Sequence, residues 1–594
     1  MDGRFSPWRC HLIYAALAAG LLALAGRVAY LQRCRGAELK ALAERQQYRK
    51  VLLPARPGNI FARTRGGCVV VAGSRQVPCC HADPYLLDDA ELIDASAKAA
   101  AALGVPARDV LAALRARRNS RFVRLARDIT PAQARAVNAL KLRAVKVAYE
   151  WRRYYPNGAA AAHVLGFRQI DGAAAAGIEL GADRWLKGRA GHKDVRSDAA
   201  RRGTYARIIE YEPPVDGRHV VLTVDLMVQG FLEQAMAAAV REFGKTNEPD
   251  PKKATAAMGV VMDPRTGAIL AMASLPTFDP NHYTVSRPEQ RRNRAITDPY
   301  EPGSAFKPFV AVGAVQMARA DLTTRFFCHH GTYHAVRGGV IRDFPGESFG
   351  LLPLTEIVIH SSNIGMAKVG ELLGNDALYR IGWAFGFGRA TGVELPGECP
   401  GRLVPPPDWT SYATRRYPFG QGPIVVTALQ LATAFSAVAN GGELLRPRII
   451  ERVTDARGRV LARGRRARVR RVLSPQVARR FIDEVLVQVV RRGTGRRCQL
   501  ADWQAFGKTG TAQIAGRGGY EEREYTATFV AGAPARRPAV VCAISVYRPD
   551  YAKGHTGGKV AAPAVRETLE RTLGYLDVPG EDATDVASRG EGRP

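Results

Sequence analysis

Apolar residues near the amino end of the chain form one long run. Residues 12–26 are uncharged and almost wholly apolar, and Arg27 interrupts the run before residues 28–31. Because a membrane-spanning helix needs about 20 apolar residues, the pattern predicts a short anchor over residues 11–31 whose Arg27 side chain reaches the interface. A cleaved signal peptide is the alternative, since residues 23–25 resemble an A-x-A cleavage site. Both interpretations place most of the chain outside the cytoplasm.

The polarity pattern of residues 32–215 predicts a support or docking region. Residues 32–49 are charged and favour a helix, whereas residues 50–90 are rich in Val, Gly and Pro and predict short strands. Residues 90–145 carry Ala, Leu and Arg at helical spacing, and Thr130-Pro131 is a typical helix start. No cluster of catalytic residue types precedes residue 215, so this half is predicted to be non-catalytic.

A strand, a helix and a hairpin are predicted where the second half begins. Residues 220–225 form an apolar run typical of a strand, and an Ala-rich helix follows it to Phe243. Two further apolar runs, residues 258–262 and 268–274, flank an Asp-Pro-Arg-Thr-Gly turn and predict a β-hairpin. A mostly helical middle and later strands favour an α+β fold over repeated βαβ units. From Pro579 onward, the polar and Gly-rich sequence predicts a disordered tail.

Composition and charge narrow the classes of function. The chain has 594 residues and a net charge of +31, carried mostly by arginines spread along its length. It shows no known nucleic-acid motif, so an anionic membrane surface or an acidic polymer explains the charge at least as well as nucleic acid. The nine cysteines include no C-x-x-C pair and no zinc spacing, so no metal is predicted. Adjacent Cys79 and Cys80 are either a redox pair or two small buried residues.

One Ser-x-x-Lys pattern, Ser304 and Lys307, suggests nucleophilic chemistry. A serine hydroxyl reacts at neutral pH only when a neighbouring base takes its proton. In a helix, residues three apart lie on one face, so Lys307 could be that base. Pro302 and Gly303 fit a turn that enters such a helix. Taken alone, the pattern also fits an ordinary helix start with an exposed Ser and Lys.

Two further motifs follow Ser304 along the chain. Ser361 and Asn363 form a Ser-x-Asn turn amid apolar neighbours, a pattern that alone indicates a helix cap or a loop. The one Lys-Thr-Gly sequence comes late and precedes two apolar runs that predict neighbouring strands, and alone it could be a solvated strand end. A glycine there would let another backbone or a ligand approach closely. This motif and the threonine after it comprise Lys508, Thr509, Gly510 and Thr511.

Ser-x-x-Lys, Ser-x-Asn and Lys-Thr-Gly in this order resemble the signature of penicillin-binding proteins and serine β-lactamases. Further stretches are similar to class B penicillin-binding proteins in particular: residues 275–280, 301–304, 361–363, 419–422, 439–442, 508–512 and 557–563. The amino-terminal half is similar more loosely, through residues 163–167 and 177–179. Residues 56–63 resemble the family's Arg-Gly-x-Ile-x-Asp-Arg box, but Ala62 stands where the family usually has Asp.

The resemblance implies a fold and a set of residue roles. The fold is α+β: a penicillin-binding transpeptidase, or serine β-lactamase-like, domain with a mainly antiparallel sheet between helical regions. An elongated mixed α/β pedestal domain and one N-terminal transmembrane helix precede it. Ser304 would be the acylated nucleophile and Lys307 its general base. Ser361 and Asn363 would relay protons and hold the peptide. Substrate would be bound through Lys508, Thr509, Gly510 and Thr511, with the backbone N–H groups of Ser304 and Thr511 as the oxyanion hole.

The resemblance also implies an activity: D,D-transpeptidation that crosslinks peptidoglycan stem peptides through a serine acyl-enzyme, releases D-alanine and is inhibited by β-lactams. Asn363 favours the division-specific septal branch. An elongation transpeptidase, a D,D-carboxypeptidase and a non-catalytic membrane-anchored scaffold or penicillin sensor stay open as alternatives. No metal or cofactor is predicted.

The expected location is the inner membrane, crossed once, with the catalytic domain on the periplasmic side. No region resembles a glycosyltransferase, so a separate polytopic membrane glycosyltransferase and other cell-wall machinery are the expected partners. Nucleic acid is not an expected partner. The predicted segments are a cytoplasmic N-terminus (1–10), the anchor (11–31), a dimerisation-type pedestal (32–215), the transpeptidase domain (216–578) and a disordered tail (579–594).

Overall fold

The computed structural model of the protein describes residues 7–196, 207–245, 248–250, 253–335, 339–410, 412–516 and 518–581. Residues 1–6 of the predicted cytoplasmic start and residues 582–594 of the predicted tail lie outside the described residues. The chain divides into two compact units. The first comprises Met1–Arg56 and Gly188–Asp216, and the second comprises Pro57–Lys187 and Gly217–Pro594.

The helices differ widely in length, and the predicted helix after residue 225 is α9. They are α1 (Pro7–Cys34), α2 (Gly36–Gln47), α3 (Asp89–Leu103), α4 (Ala107–Ala116), α5 (Pro131–Ala139), α6 (Ala162–Leu165), α7 (Gly177–Gly181), α8 (Asp183–Leu186), α9 (Leu226–Phe243), α10 (Pro288–Arg291), α11 (Arg294–Thr297), α12 (Lys307–Gln316), α13 (Leu354–Ile359), α14 (Asn363–Ala384), α15 (Ala413–Arg416), α16 (Ala428–Ala439), α17 (Pro475–Phe481), α18 (Val487–Arg491), α19 (Gly557–Val560) and α20 (Ala562–Tyr575).

The strands include the predicted hairpin, which is β9 and β10. They are β1 (Tyr48–Leu53), β2 (Ile60–Thr64), β3 (Gly67–Ala82), β4 (Val123–Ala126), β5 (Val145–Tyr154), β6 (Gly191–Arg196), β7 (Arg207–Glu212), β8 (His219–Asp225), β9 (Ala256–Asp263), β10 (Ala268–Leu275), β11 (Arg325–Phe327), β12 (Thr332–Ala335), β13 (Gly339–Arg342), β14 (Leu351–Pro353), β15 (Arg402–Leu403), β16 (Ile424–Val425), β17 (Glu443–Leu445), β18 (Ile450–Thr454), β19 (Val460–Arg463), β20 (Arg468–Arg471), β21 (Phe506–Gly516), β22 (Gly519–Ala533) and β23 (Val540–Tyr547).

The first unit contains a long apolar helix and a small sheet. α1 runs without a break through Arg27, and its 28 residues are long and apolar enough to cross a membrane. None of its residues is buried in protein, as expected for a surface that faces lipid. β1, β6 and β7 form an antiparallel sheet in that order. The helix fits a single-pass membrane anchor.

The second unit begins with a helical lobe built on β3, β4 and β5. Apolar residues of α3, α4 and α5 share one core with these strands. Two capping boxes start its helices, Asp88 with Glu91 at α3 and Thr130 with Gln133 at α5. The predicted helix start at Thr130 is therefore confirmed. Cys79 and Cys80 on β3 are both buried, and neither forms a disulfide with a described cysteine.

A seven-stranded sheet joins this lobe to the rest of the second unit. Its order is β19-β18-β8-β2-β3-β4, with β5 also paired to β3. β8, the predicted strand at residues 220–225, pairs in parallel with β2 and antiparallel with β18. The strands β2 to β5 therefore share one continuous hydrogen-bonded sheet with β8, β18 and β19.

A buried ion-pair cluster lies beside this sheet. Glu179 is fully buried and accepts hydrogen bonds from Arg153 Nε and, at 2.7 Å, from Arg168 Nε. Arg168 Nη2 also donates to Asp183 Oδ1 at 2.6 Å. Both guanidinium groups are at most 5% exposed. Because buried charges are costly without partners, these residues depend on one another.

Five antiparallel strands in the order β10-β9-β23-β22-β21 form the central sheet of the second unit. Neighbouring residues of β9 belong to two hydrophobic cores, one on each face of the sheet. Val261 shares a core with α9 and α20, and Val260 shares the other core with α12, α14 and α16. Helices therefore cover both faces of an antiparallel sheet, which confirms the predicted α+β fold. β21, which carries Lys508 and Thr509, is an edge strand.

Candidate active site

Ser304 lies in a tight turn beside the edge strand. Residues Gly303–Phe306 form a 3₁₀ turn, and α12 begins only at Lys307. The expected helical segment is therefore a 3₁₀ turn that leads into α12, and residues three apart in a 3₁₀ turn also share a side. Within the described part of the chain, the Ser304 hydroxyl has no hydrogen-bond partner and is only partly buried. It can therefore reach a substrate.

Glycines allow this turn to contact β21 directly. A Cβ atom on Gly510 would lie 2.9 Å from the Pro302 carbonyl oxygen, and one on Gly303 would lie 2.7 Å from the Thr511 carbonyl oxygen. Gly303 also has φ +53°, which favours glycine. Its N–H donates to the Gly420 carbonyl at 3.0 Å. The glycines of three motifs therefore bring Ser304 against the Lys-Thr-Gly strand.

Lys307 extends from the first turn of α12 into a buried polar site. Its side chain is fully buried, and Nζ lies 3.1 Å from Ser361 Oγ and 2.8 Å from Asn363 Oδ1, with a third contact to the Ser361 carbonyl. Burial lowers the pKa of Lys307 to about 7, although the negative charge of Asp343 opposes this shift. A lysine with this pKa is partly neutral at physiological pH and can accept a proton.

The Ser-x-Asn turn connects α13 to α14. Ser361 has φ +64°, an uncommon value for a residue with a side chain. Asn363 is the first residue of α14, and the Ser362 hydroxyl between them caps that helix by accepting from Gly365 N–H at 3.0 Å. The cap holds the turn in place, so Ser361 and Asn363 both face Lys307.

Lys508 approaches the same hydroxyl from the sheet. Its Nζ lies 2.9 Å from Ser361 Oγ and 3.2 Å from Thr509 Oγ1, and its side chain is fully buried. Burial, and then the positive charge of Lys307, lower the pKa of Lys508. The Ser361 hydroxyl therefore joins two lysines, which can pass a proton between them through its oxygen.

The predicted substrate-binding residues lie along β21. Thr509 is 7% exposed and contacts Lys508 and Thr494 through its hydroxyl. Thr511 Oγ1 accepts a hydrogen bond from Gly557 N–H at 3.2 Å, at the start of α19. Because an edge strand has unpaired backbone groups on its outer side, β21 can pair with an extended peptide there. All eight predicted site residues therefore meet at one place.

Three further residues lie at this place, and the sequence motifs assigned a role to none of them. Asp343 follows β13, and its carboxylate accepts hydrogen bonds from the Ser362 hydroxyl at 3.0 Å and from Asn363 N–H at 2.6 Å. Glu301 accepts from Gly422 N–H at 3.0 Å and from the Tyr520 hydroxyl, and Thr494 contacts Thr509. Glu301 and Gly422 lie in stretches that resemble the family, but only folding brings their atoms together.

No group of three metal-binding side chains was found at this site among the described residues. The one such group in the described chain lies in the first unit, where ligand atoms of His192, Asp194 and Glu210 are within 4.8 Å of one another. His192 there already pairs with Glu212, Nδ1 to Oε2, at 3.2 Å. The side chains of the three motifs offer hydroxyl, amine and amide groups at the candidate site.

Comparison with known families agrees with this geometry. The family model of the penicillin binding protein transpeptidase domain matches residues 257–570. The chain belongs to the penicillin-binding proteins. The model of the penicillin-binding protein dimerisation domain matches residues 52–222, and a dimerisation domain followed by a transpeptidase domain is the organisation of class B. This class B penicillin-binding protein is therefore a serine-type D,D-transpeptidase.

Relatives match along almost the whole length of the penicillin-binding protein. It is 32% identical to "Probable peptidoglycan D,D-transpeptidase PbpC" of Pseudomonas aeruginosa, over 98% of each chain. It is 29% identical to peptidoglycan D,D-transpeptidase FtsI of Escherichia coli, over 99% of this chain and 96% of that protein. A peptidoglycan synthetase structure from Bifidobacterium adolescentis is 25% identical and superposes with a TM-score of 0.70, over 90% of this chain and 98% of that one.

Proposed function

We propose that Ser304 of this penicillin-binding protein attacks the carbonyl of the penultimate D-alanine of a stem pentapeptide. The Ser304 Oγ–carbonyl bond forms, the peptide C–N bond breaks, and the terminal D-alanine leaves with a proton on its amine. An amine of a neighbouring stem peptide then displaces Ser304 and forms the crosslink. The Ser304 hydroxyl, which has no hydrogen-bond partner among the described residues and lies beside an edge strand, supports this assignment, because that strand can bind an extended peptide next to the nucleophile.

Lys307 is the proposed general base. Its amine is buried and partly neutral near pH 7, so it can accept a proton from Ser304 as a base must. Ser361 contacts both Lys307 and Lys508, so it is the proposed proton relay to the leaving amine. Asn363 binds Lys307 through Oδ1 and donates from Nδ2 to the Arg342 carbonyl, and in the proposal it positions Lys307 and the peptide backbone.

Lys508 and Thr509 are the proposed site for the carboxylate of the terminal D-alanine. A lysine ammonium and a threonine hydroxyl both donate hydrogen bonds, and hydrogen bonds to a charged carboxylate are the stronger kind. Gly510 permits the close approach of β21 to the Ser304 turn. The N–H groups of Ser304 and Thr511 are the proposed oxyanion hole, where loss of one donor costs about 10²–10³ in rate.

Covalent labelling tests this assignment. Full-length protein in detergent is treated with fluorescent penicillin, digested and mapped by mass spectrometry; the label is expected on Ser304. Ser304→Ala should abolish labelling, whereas Ser348→Ala, which changes an exposed serine of the same unit, should leave it intact. Labelling that persists in the Ser304→Ala variant would contradict the assignment. A parallel assay of crosslinked product separates the proposed transpeptidase from a carboxypeptidase, which would release D-alanine without crosslinking.

A role in septal wall synthesis during division is part of the proposal. Asn363 in Ser-Ser-Asn and the 29% identity to FtsI of Escherichia coli support it. Depletion of the protein is expected to produce filamentous cells that replicate but do not divide. Rounded, swollen cells would instead indicate the elongation branch.

The proposed topology has residues 1–10 in the cytoplasm, residues 11–31 in the inner membrane and residues 32–215 as a pedestal for the transpeptidase domain at 216–578, with a tail at 579–594. The continuous apolar helix α1 fits the proposed membrane anchor by its length and composition. External protease should digest the catalytic domain in spheroplasts. A mature amino terminus at Gly26 would indicate a cleaved signal instead. A separate polytopic glycosyltransferase is the proposed source of the glycan strands.

A further inference from the structure

Thr494 is an exposed residue at the end of the polar chain that crosses the active site. It lies between Gly493 and Gly495, just after α18, and its Oγ1 is 2.8 Å from Thr509 Oγ1. The chain of contacts from Lys307 thus passes through Ser361, Lys508 and Thr509 and ends at Thr494. Thr494 occurs in none of the motifs that predicted the site.

The turn that carries Thr494 is held from two sides. A Cβ atom on Gly493 would lie 2.6 Å from the Ile359 carbonyl oxygen, at the end of α13, and one on Gly495 would lie 3.1 Å from the ring of Phe529 on β22. The turn therefore packs between the Ser-x-Asn turn and the central sheet. Such close backbone contacts leave the Thr494 hydroxyl little freedom to move away from Thr509.

An ion pair and a third glycine add to this restraint. Arg492, two residues before Thr494, donates from Nη1 to Glu356 Oε2 at 2.9 Å and contacts the other oxygen through Nη2. Glu356 belongs to α13. A Cβ atom on Gly558 of α19 would lie 2.7 Å from the Thr494 carbonyl oxygen. Three elements of the active site therefore contact the Thr494 turn.

Either hydroxyl can be the donor in the contact between Thr494 and Thr509, and the proposed function favours one direction. A hydroxyl has one proton to donate and two lone pairs that accept. Thr509 Oγ1 accepts from Lys508 Nζ at 3.2 Å, so one lone pair is used. If Thr494 donates to Thr509, the second lone pair is used as well. The Thr509 proton is then left for a further acceptor, and the carboxylate of the substrate is the acceptor that the proposed function places there.

We infer that Thr494 is a positioning residue that donates its hydroxyl hydrogen to Thr509 and so directs the Thr509 O–H toward the carboxylate of the substrate. The inference rests on the proposed carboxylate-binding role of Thr509. Thr494 then raises the preference of the enzyme for acyl donors that carry a carboxylate. The loss of one such hydrogen bond changes that preference by about three- to tenfold.

The test compares benzylpenicillin, which carries the carboxylate, with its methyl ester, which does not. Acylation rates of full-length protein in detergent give the preference as the ratio of the two rates. Thr494→Val removes the hydroxyl but keeps the side-chain shape, and it is expected to lower the ratio about three- to tenfold. Thr494→Ser keeps the hydroxyl and should retain the ratio. Thr494→Ala serves as the hydroxyl-free variant if Thr494→Val does not fold.

Variants of Thr509 show whether Thr494 acts through it. Thr509→Val should lower the ratio at least as much as Thr494→Val, and the double variant should be no worse than Thr509→Val alone. Equal slowing of both probes by Thr494→Val, an unchanged ratio, or additive effects in the double variant would overturn the inference. An unchanged ratio in Thr509→Val would show instead that the proposed carboxylate site itself is wrong, and the inference would fail with it.

Discussion

Acylation of Ser304 is expected to depend on pH through Lys307. Burial brings the pKa of this lysine from 10.5 to about 7, so about half of the molecules carry a neutral amine at pH 7, against about one in 3,000 for an ordinary lysine. Below this pKa, Lys307 is protonated and cannot take the serine proton. The acylation rate should therefore fall about tenfold per pH unit below pH 7 and level off above about pH 8.

Asp343→Asn perturbs this titration in a defined direction. Asn363 links the two groups: its Oδ1 is 2.8 Å from Lys307 Nζ, and its N–H is 2.6 Å from Asp343 Oδ1. A carboxylate at a separation of about 7 Å stabilises the lysine cation by about 2 kcal/mol at an effective dielectric constant of about 20. Its removal lowers the pKa of Lys307 further. The midpoint of the rate profile should move down by about one to two pH units.

The measurement is stopped-flow acylation by fluorescent penicillin between pH 5 and pH 9, with full-length protein in detergent. Asn is chosen at position 343 because its side-chain oxygen can still accept from the N–H groups of Asn363 and Ile364. Glu347→Gln, a change of an acidic residue four positions further on, is the control and should leave the midpoint in place. A midpoint that stays the same or rises in Asp343→Asn would refute the reasoning, as would a wild-type midpoint above pH 9.

Three further predictions, one of them with a control variant, concern contacts within the second unit. Glu179→Gln removes the carboxylate that two buried guanidinium groups share, and urea unfolding should show a loss of about 3–5 kcal/mol. Glu150→Gln, which breaks a partly exposed ion pair with Arg124, is the control and should cost less than about 1 kcal/mol. Gly510→Ala places a Cβ atom 2.9 Å from the Pro302 carbonyl and should slow penicillin acylation at least about 100-fold while the melting temperature stays near wild type; equal rates would contradict the close approach. Tyr520→Phe removes one hydrogen bond to Glu301 and should slow acylation by less than about tenfold; complete loss of acylation would show that Tyr520 does more than position Glu301.

Local patterns were enough to predict many elements of this protein. The hairpin of β9 and β10 consists of two apolar, almost wholly buried runs with four residues between its strands, and the helix at Pro131 has its capping residues within one turn. Side-chain periodicity and capping act over a few residues, so they can be recognised without the fold. The three motifs likewise named Ser304, Lys307, Ser361, Asn363 and the Lys508–Thr511 stretch.

Local sequence patterns could not predict the contacts that assemble those motifs into one site. Asp343, 20 residues before Asn363 along the chain, shows no motif, and its role comes from capping the helix that Asn363 starts. Thr494 and Glu301 acquire their contacts in the same way, from segments 15 and 121 residues distant. The position of the Ser304 turn also depends on distant neighbours, since a Cβ atom on Gly303 would lie 2.7 Å from the Thr511 carbonyl oxygen of β21.

By itself the sequence determined which side chains are proposed to carry the chemistry, their order along the chain and most of the helices and strands around them. Only the tertiary structure decided that Lys307 and Lys508 share the Ser361 hydroxyl, that Lys307 is buried enough to be partly neutral, and that β21 is an open edge. The physical reason is that burial, the distance between charges and the pairing of strands all depend on how distant segments of the chain pack against one another. Residue types alone do not define that packing until the chain has folded.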